Sequence, residues 1–362
     1  MKTGDLTTVE YLNWFSRLTT HLRVPLSGGL ELTRRCDLRC THCYVGDRAA
    51  GGLGHKPELP TRRWHELLDE ITAAGCLYLL LTGGEPLLHP DFPALYRHAK
   101  GNGLVVTVFT NGNRVDDSIL DLWRDLPPHT VEISLYGATA AVYEAVTRVP
   151  GSFDRCMAGV RALVEAGLPL RLKTVLLTTN RHEFAAMKAL AEELNAPFRF
   201  DAAVFPRLDG DRAPLALRVP PEAAVELEFT GPERLHEYLD YLKRHEGAVV
   251  AENLYSCGAG MTLFHVSAEG RLQPCLMARD PAFDLTRGDF GTGWLEITGR
   301  LREWKTPAGF RCRECRMNVL CGYCPAFFGL ETGAEDTCSD YICAMGRERW
   351  ERIRPWAEEK TR

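Results

Sequence analysis

Hydrophobic and polar positions follow two periodicities between about residues 28 and 205, one typical of strands and one typical of helices. Short runs rich in aliphatic and β-branched residues are each followed by a longer segment with helical spacing. This order is typical of repeated βα units around a parallel sheet. It predicts six strands, and we place them at residues 29–32, 78–81, 104–110, 131–134, 170–177 and 198–204. The predicted fold class is therefore α/β.

The segment TRRWHELLDEITAAG, residues 61–75, illustrates the helical rhythm. Its apolar residues at positions 64, 67, 68 and 71 recur on one helix face. We expect Thr61 to cap the start of this helix and Gly75 to close its end.

Short polar motifs come directly after the first four predicted strands. Cys36 follows the first strand, TGGEP at 82–86 the second, TNG at 110–112 the third and SLYG at 134–137 the fourth. Because the loops after parallel barrel strands converge on one mouth, we expect these motifs to lie around a common site.

Composition narrows the class of protein. The 362 residues are 45% hydrophobic and 25% charged, with a net charge of -5. There is no basic stripe for nucleic acid, no apolar run near the ~20 residues that span a bilayer, and no secretory signal pattern at the amino terminus. The sequence predicts a cytoplasmic protein that binds neither nucleic acid nor membrane.

Thirteen cysteines are many for such a chain, and they are unevenly distributed. Three lie in CDLRCTHC at Cys36, Cys40 and Cys43, and eight lie between Cys257 and Cys343. In a cytosolic protein, clustered thiols more often bind metal or perform redox chemistry than form disulfides. Three thiolates would leave one iron of a four-iron cluster without a protein ligand, free to bind a small molecule.

The triplet CxxxCxxC followed by GGEP at 83–86 resembles the radical S-adenosylmethionine (SAM) enzymes. The resemblance covers about residues 28–205 and implies a partial (β/α)6 barrel of the TIM type. It also implies that a [4Fe-4S] cluster on Cys36, Cys40 and Cys43 binds SAM through its open iron. Reductive cleavage of SAM would then give a 5′-deoxyadenosyl radical that abstracts a substrate hydrogen.

The same resemblance assigns SAM contacts to six residues, although the sequence names no catalytic acid or base. They are His42 near adenine, Gly83, Gly84 and Glu85 at the methionine amino group, Ser134 from the fourth strand, and Arg148 at the methionine carboxylate.

The carboxyl-terminal cysteines permit two interpretations from spacing alone, a zinc site or iron–sulfur clusters. The alternation in MTLFHVSAEGRLQPC predicts a hairpin, turning at 269–270, that returns Cys275 toward Cys257. The order of the cysteines resembles the SPASM extension of the radical SAM family, which binds two auxiliary [4Fe-4S] clusters.

By that resemblance, three clusters are expected in all. The distal auxiliary cluster would be bound by Cys312, Cys315, Cys321 and Cys343, and the proximal one by Cys257, Cys275 and Cys324. The proximal cluster would have an open iron unless Cys338 completes it.

The expected organisation is an amino-terminal segment at 1–27, the barrel at 28–230 and the SPASM domain at 231–362. The expected activity is hydrogen abstraction from a peptide, giving a crosslink, thioether or oxidised residue. A ferredoxin or flavodoxin would donate electrons, and a separate protein could hold the leader of the peptide.

Alternatives are a small-molecule substrate such as a sugar alcohol or tetrapyrrole, a sulfatase substrate, and a zinc-stabilised binding protein. Leu276, where sulfatase-maturing members have aspartate, lowers the sulfatase alternative.

Overall fold

The computed structural model describes residues 7–46, 57–244, 252–315 and 317–359. Within these ranges nine strands form a single sheet. They are β1 Ser27–Glu31, β2 Tyr78–Thr82, β3 Val105–Thr110, β4 Thr130–Ser134, β5 Leu170–Val175, β6 Phe198–Asp201, β7 Leu263–Val266, β8 Arg271–Gln273 and β9 Phe283–Asp284. All six predicted strands are confirmed, and the largest error is the end of β6, which comes three residues early.

The sheet has the strand order β6-β5-β4-β3-β2-β1-β7-β8-β9. Neighbours from β6 through β1 to β7 pair in parallel, whereas β8 and β9 pair antiparallel. Six consecutive parallel strands joined by helical crossovers form the predicted partial (β/α)6 barrel. Their carboxyl ends therefore meet at one mouth.

Thirteen α-helices occur in the described part of the chain. They are α1 Thr8–Leu22, α2 Thr61–Ala73, α3 Phe92–Gly101, α4 Asp117–Asp125, α5 Ala140–Thr147, α6 Ser152–Glu165, α7 Phe184–Glu193, α8 Pro221–Glu228, α9 Pro232–Arg244, α10 Phe290–Glu303, α11 Asn318–Cys321, α12 Pro325–Thr332 and α13 Asp340–Glu359. Short 3-10 helices span Pro86–Leu88, Arg181–Glu183, Ala213–Leu217 and Arg311–Arg313. No described helix is long and apolar enough to cross a bilayer.

Helix α2 confirms the predicted spacing of buried residues, but the prediction that Thr61 caps it is wrong. Trp64, Leu67, Leu68 and Ile71 are buried on one face, and burying each such side chain contributes about 1.5–3 kcal/mol. The cap position belongs to Pro60, which has no side chain that can accept a hydrogen bond. The hydroxyl of Thr61 instead donates to Asp91 at 2.5 Å, joining α2 to the start of α3.

The close of α2 by Gly75 is confirmed. Its φ of 99° lies in the region that favours glycine, and its N–H donates to the carbonyl of Thr72.

The carboxyl-terminal region continues the barrel sheet. Strands β7 and β8 form the predicted hairpin, and Gly270 takes a φ of 82° at its turn. Because β7 pairs in parallel with β1, the sheet runs past the predicted domain boundary at residues 230/231 without a break.

Two half-buried ion pairs also cross that boundary. Arg349 of α13 binds Glu228 of α8 through two hydrogen bonds of 2.6 and 2.8 Å. Arg218 binds Glu331 of α12 at 2.6 and 3.1 Å. Bidentate pairs of this kind fix the orientation of the elements they join. The cysteine-rich region is therefore held firmly against the barrel.

Candidate active site

A cavity of about 410 Å³ opens at the carboxyl ends of the parallel strands. Every motif predicted to meet at the mouth contributes to its wall. The predicted site residues that line it are Cys36, Cys40, His42, Cys43, Gly83, Gly84 and Ser134. The prediction of a common mouth is thereby confirmed for these residues.

The cysteine loop follows β1 and is held by the barrel. The N–H groups of Arg39 and Thr41 donate to carbonyls at the end of α5, each at 2.9 Å. The Sγ of Cys36 accepts a hydrogen bond from the N–H of Leu38 at 3.4 Å, and the amide nitrogen of Asn111 lies 3.9 Å away. Donors of this kind stabilise a thiolate and orient metal-bound sulfur.

The donor set fits an iron–sulfur cluster because three thiols share one cavity and one of them already accepts hydrogen bonds. Within the described ranges, no three Cys, His, Asp or Glu side chains already converge on a metal position. The fit therefore depends on the ligand type and the shared cavity.

The glycine pair of GGEP brings the loop after β2 against the cysteine loop. The N–H groups of Gly84 and Glu85 donate to the carbonyls of Thr33 and Arg35, each at 2.7 Å. A Cβ on Gly84 would overlap the carbonyls of Arg34 and Arg35, and Gly83 has a φ of 143°. Only glycine permits this approach. The pair therefore has a packing role in addition to lining the cavity.

Glu85 has a different place from the one expected. Its carboxylate does not line the cavity and is fully buried. It accepts hydrogen bonds from the Thr110 hydroxyl and the Asn111 N–H, both at 2.7 Å, and from the Leu87 N–H at 3.1 Å. Burial raises its pKa to about 7, against the lowering effect of these donors. Glu85 positions the TNG loop beside Cys36.

His42 and Tyr136 form an aromatic corner of the cavity. Their rings meet edge-to-face with centroids 4.8 Å apart. Burial lowers the pKa of His42 to about 4, so its ring is neutral at physiological pH. Its Nδ1 has no hydrogen-bond partner among the described residues. A neutral ring with a free nitrogen suits a heterocycle such as adenine.

Arg148 lies outside the cavity. It is the exposed carboxyl-terminal cap of α5, with a left-handed φ of 60°. The cations that line the cavity are Lys173 and Arg199, from the neighbouring strands β5 and β6.

The carboxyl-terminal cysteines separate into two groups. Burial and the neighbouring thiols of Cys324 and Cys257 raise the pKa of Cys275 to about 12. The N–H of Ala278 donates to the Sγ of Cys275 at 3.3 Å, and the N–H of Phe327 to the Sγ of Cys324 at 3.4 Å. Cys257, Cys275 and Cys324 are therefore neighbours in the structure.

The second group contains the four cysteines expected at the distal set and one more. Burial raises the pKa of Cys312 to about 12, and the thiols that add to this rise are those of Cys338, Cys321, Cys343 and Cys315. Cys338 also contacts the thiol of Cys343. Cys338 thus lies with the distal group.

Comparison with known families gives the decisive observation: residues 30–191 match the model of the radical SAM superfamily. Over its barrel strands this chain is therefore similar to the radical SAM superfamily. It is an enzyme of the radical SAM class, and the cysteine triplet and GGEP motif fall inside the matched residues.

Relatives of this radical SAM enzyme carry two kinds of name. An AdoMet-dependent heme synthase of Methanosarcina barkeri is 26% identical, covering 84% of this chain and 92% of that protein. A PqqA peptide cyclase of Ruegeria pomeroyi is 28% identical, covering 88% of this chain and 87% of that protein. Identities at this level leave the substrate open.

Solved structures share the fold over nearly the whole radical SAM chain. Streptococcus suis SuiB bound to its precursor peptide SuiA has a TM-score of 0.68 at 17% identity, covering 95% of this chain and 82% of that chain. Native anSMEcpe with bound AdoMet has a TM-score of 0.69 at 13% identity, covering 92% and 98%. The fold therefore extends through the cysteine-rich region.

Several residues of the radical SAM cavity were not among the predicted site residues. Asn111, Lys173, Arg199 and Leu276 all line it. The sequence carries a signal for Lys173, since LRLKTV in β5 places charges at positions that alternate with the buried residues Leu170, Leu172 and Thr174. Leu276, the position where the family resemblance places an aspartate in sulfatase-maturing members, reaches the cavity because the carboxyl-terminal hairpin packs onto β1.

Proposed function

We propose that this radical SAM enzyme modifies a peptide, abstracting hydrogen from one of its residues so that a crosslink, thioether or oxidised residue results. Cys36, Cys40 and Cys43 would hold the [4Fe-4S] cluster. Gly83, Gly84, Ser134 and the neutral His42 would line the SAM side of the cavity. Bound there, SAM supplies a 5′-deoxyadenosyl radical; the residues of this chain hold it, orient the substrate and exclude water.

One observation carries the proposal: two regions of the chain meet at a single cavity. The barrel contributes the cysteine loop, and the cysteine-rich region contributes His265 and Leu276 to the same wall. A substrate in this cavity would touch both regions. SuiB bound to a precursor peptide and anSMEcpe bound to a peptide share this fold, which supports a peptide substrate here.

The carboxyl-terminal region would carry two auxiliary [4Fe-4S] clusters. We assign the distal cluster to Cys312, Cys315, Cys321 and Cys343, and the proximal cluster to Cys257, Cys275 and Cys324. Residues 28–230 would form the barrel domain and residues 231–362 the SPASM domain. A ferredoxin or flavodoxin would supply the electrons, and a separate protein could present the leader of the peptide.

A tetrapyrrole is the second candidate substrate. The AdoMet-dependent heme synthases of Methanosarcina barkeri, Oleidesulfovibrio alaskensis and Nitratidesulfovibrio vulgaris are 24–26% identical over more than four fifths of this chain. They cover 82–84% of this chain, and the two PqqA peptide cyclases cover 88% and 80% of it. The reaction on a tetrapyrrole would begin with the same hydrogen abstraction.

The test uses the anaerobically reconstituted enzyme with SAM and a reductant. One arm receives the peptide encoded by a short reading frame beside the gene, and the other receives a propionate-bearing tetrapyrrole. Mass spectrometry of the peptide is expected to show a loss of two hydrogens for a crosslink, together with 5′-deoxyadenosine. Turnover of the tetrapyrrole alone would overturn the peptide proposal.

A further inference from the structure

A group of charged side chains occupies the inner face of the barrel below the mouth. Glu132 of β4 is 4% exposed, and it pairs with Lys173 of the neighbouring strand β5 and with Arg199 of β6, one strand further along the sheet. Barrel interiors are ordinarily filled with branched apolar side chains. Buried charge is costly to fold, so its presence here indicates a binding role for this face.

The arginines already satisfy the carboxylate of Glu132. Its Oε2 accepts hydrogen bonds from Arg199 at 2.5 and 3.1 Å, and its Oε1 accepts one from Arg171 at 3.1 Å. Lys173 Nζ is 3.8 Å from Oε2, which is too far for a hydrogen bond. The two arginines therefore make the hydrogen bonds to Glu132, and the ammonium of Lys173 makes none to it.

The ammonium of Lys173 retains its hydrogen-bonding capacity. It lies 2.9 Å above the centroid of the Phe109 ring, and no described residue accepts a hydrogen bond from it. Lys173 and Phe109 both line the cavity. Burial lowers the pKa of Lys173 well below its usual value, whereas Glu132 raises it. A second carboxylate arriving in the cavity would pair with the ammonium and accept its free N–H donors.

Asp201, the other acidic residue on this wall, does not bind the Lys173 ammonium. Asp201 also lines the cavity, but its Oδ1 accepts a hydrogen bond from the N–H of Ala203 at 2.8 Å. Counting Asp201 and Glu132 against Lys173, Arg171 and Arg199 leaves one positive charge uncompensated.

Along the barrel strands, the ammonium of Lys173 lies deeper than the mouth, where SAM is expected. Phe109 and Glu132 are register partners on β3 and β4. They lie two residues before Asn111 and Ser134, which line the mouth beside the cysteine loop. Two residues of strand span about 7 Å. The backbone of Lys173 pairs with Ser134 at the strand ends, and its side chain turns back from there to the level of Phe109 and Glu132.

We propose that Lys173 binds a carboxylate of the substrate. For a peptide, that group is an aspartate or glutamate side chain or a free carboxyl terminus at the residue being modified. The inference rests on the proposed function only in taking this cavity as the substrate site. It deepens that proposal by naming the chemical class that the barrel accepts.

The experiment measures binding to the reconstituted, SAM-loaded protein with two sets of probes. The first is a pool of synthetic hexapeptides that occur in matched Glu and Gln forms, with free or amidated carboxyl termini. The second is coproporphyrin III and its tetramethyl ester. Retention by ultrafiltration and mass spectrometry are compared for the wild type, Lys173→Met, Lys173→Arg and the control Lys188→Met on α7. Binding of SAM is measured in parallel.

Wild type and Lys188→Met are expected to prefer the carboxylate form of a probe by about tenfold or more. Lys173→Met is expected to lose that preference and Lys173→Arg to keep part of it, with SAM affinity changed by no more than about twofold. Glu132 keeps both arginines in Lys173→Met, so we expect this variant to fold, which the iron content and circular dichroism check.

Other outcomes separate the two proposals. A carboxylate preference that depends on Lys173 but occurs only with the porphyrin supports the role of Lys173 and overturns the peptide proposal. Peptide binding without that preference, no preference in either probe set, or a preference unchanged in Lys173→Met overturns the role of Lys173. A loss of SAM affinity in Lys173→Met with the probe preference intact would assign the cation to the carboxylate of SAM instead.

Discussion

The two cysteine-bearing regions of this protein are built in opposite ways. Cys36, Cys40 and Cys43 lie on one loop of eight residues, at the mouth of a cavity. The carboxyl-terminal cysteines are spread from Cys257 to Cys343 and meet only through the packing of a hairpin, short helices and α13. The first set is local in the chain, and the second is a product of tertiary structure.

Because of this difference, we expect ligand loss in the first region to affect catalysis and ligand loss in the second to affect stability. The opening loop is anchored by a few backbone hydrogen bonds, so losing a ligand there should remove a function and leave the fold intact. The carboxyl-terminal groups lie between elements that hold one another in place, so losing a ligand there should also loosen the structure. The predictions below test that contrast.

The largest effect is expected from Cys40→Ala. Without this thiolate the open cluster loses one of its three protein ligands, and SAM cleavage should fall by more than about 100-fold, the range that follows from losing even an outer partner of a metal ligand. Formation of 5′-deoxyadenosine measures the loss. Cys156→Ala, which removes a buried thiol of the barrel core, is the control and should retain cleavage. Equal loss in both variants would contradict the assignment.

Next comes the pair Cys343→Ala and Cys338→Ala. The first removes an expected ligand of the distal cluster and should lower the iron content by about four per chain together with the melting temperature. The second removes the extra thiol of the same group and should leave the iron content unchanged. Iron analysis and thermal unfolding distinguish them. A loss of iron in Cys338→Ala alone would mean that Cys338 is the ligand and Cys343 the extra thiol.

Arg349→Ala tests how firmly the second region depends on packing. The guanidinium bonds Glu228 twice and donates to the carbonyl of Leu320, next to Cys321, at 2.7 Å. Removing it leaves the carboxylate of Glu228 without its cation, although the Tyr238 hydroxyl still donates to it at 2.9 Å. We therefore expect a loss of unfolding free energy at the low end of the about 3–5 kcal/mol that breaking a fully buried pair costs. Denaturant unfolding measures this change, and Arg354→Ala on the exposed face of α13 is the control. An unfolding free energy within error of the wild type would contradict the packing account.

Glu85→Ala is expected to destabilise the protein by a smaller amount. It leaves the buried N–H of Asn111 and the hydroxyl of Thr110 without their acceptor, which costs about 1–3 kcal/mol. Glu85→Gln keeps one acceptor oxygen and should lose less. Thermal unfolding compares the two variants, and an equal effect would argue against the positioning role of the carboxylate.

The smallest effect is expected from Arg148→Ala. This side chain is exposed and outside the cavity, so the KM for SAM should change by no more than about twofold. Steady-state formation of 5′-deoxyadenosine measures it. A large rise in KM would mean that Arg148 moves to the methionine carboxylate when SAM binds, as the family resemblance implies.

The sequence predicts the first region better than the second, for a physical reason. Strand periodicity and the spacing of the opening triplet are local properties, so all six strands and the shared mouth could be predicted from them. The place of Cys338 and the approach of Leu276 depend on how α13 and the carboxyl-terminal hairpin pack. The role of Glu85 was missed because its partners in the TNG loop lie 25 residues along the chain.

The most direct test of the account is the iron content and SAM cleavage of the anaerobically reconstituted full chain. Three four-iron clusters predict about twelve irons per chain and 5′-deoxyadenosine under reductant. In Cys40→Ala, about eight irons should remain while the cleavage is lost. A wild-type content of about eight irons would contradict the assignment of two auxiliary clusters. Zinc in their place, with no cleavage of SAM, would contradict the account as a whole.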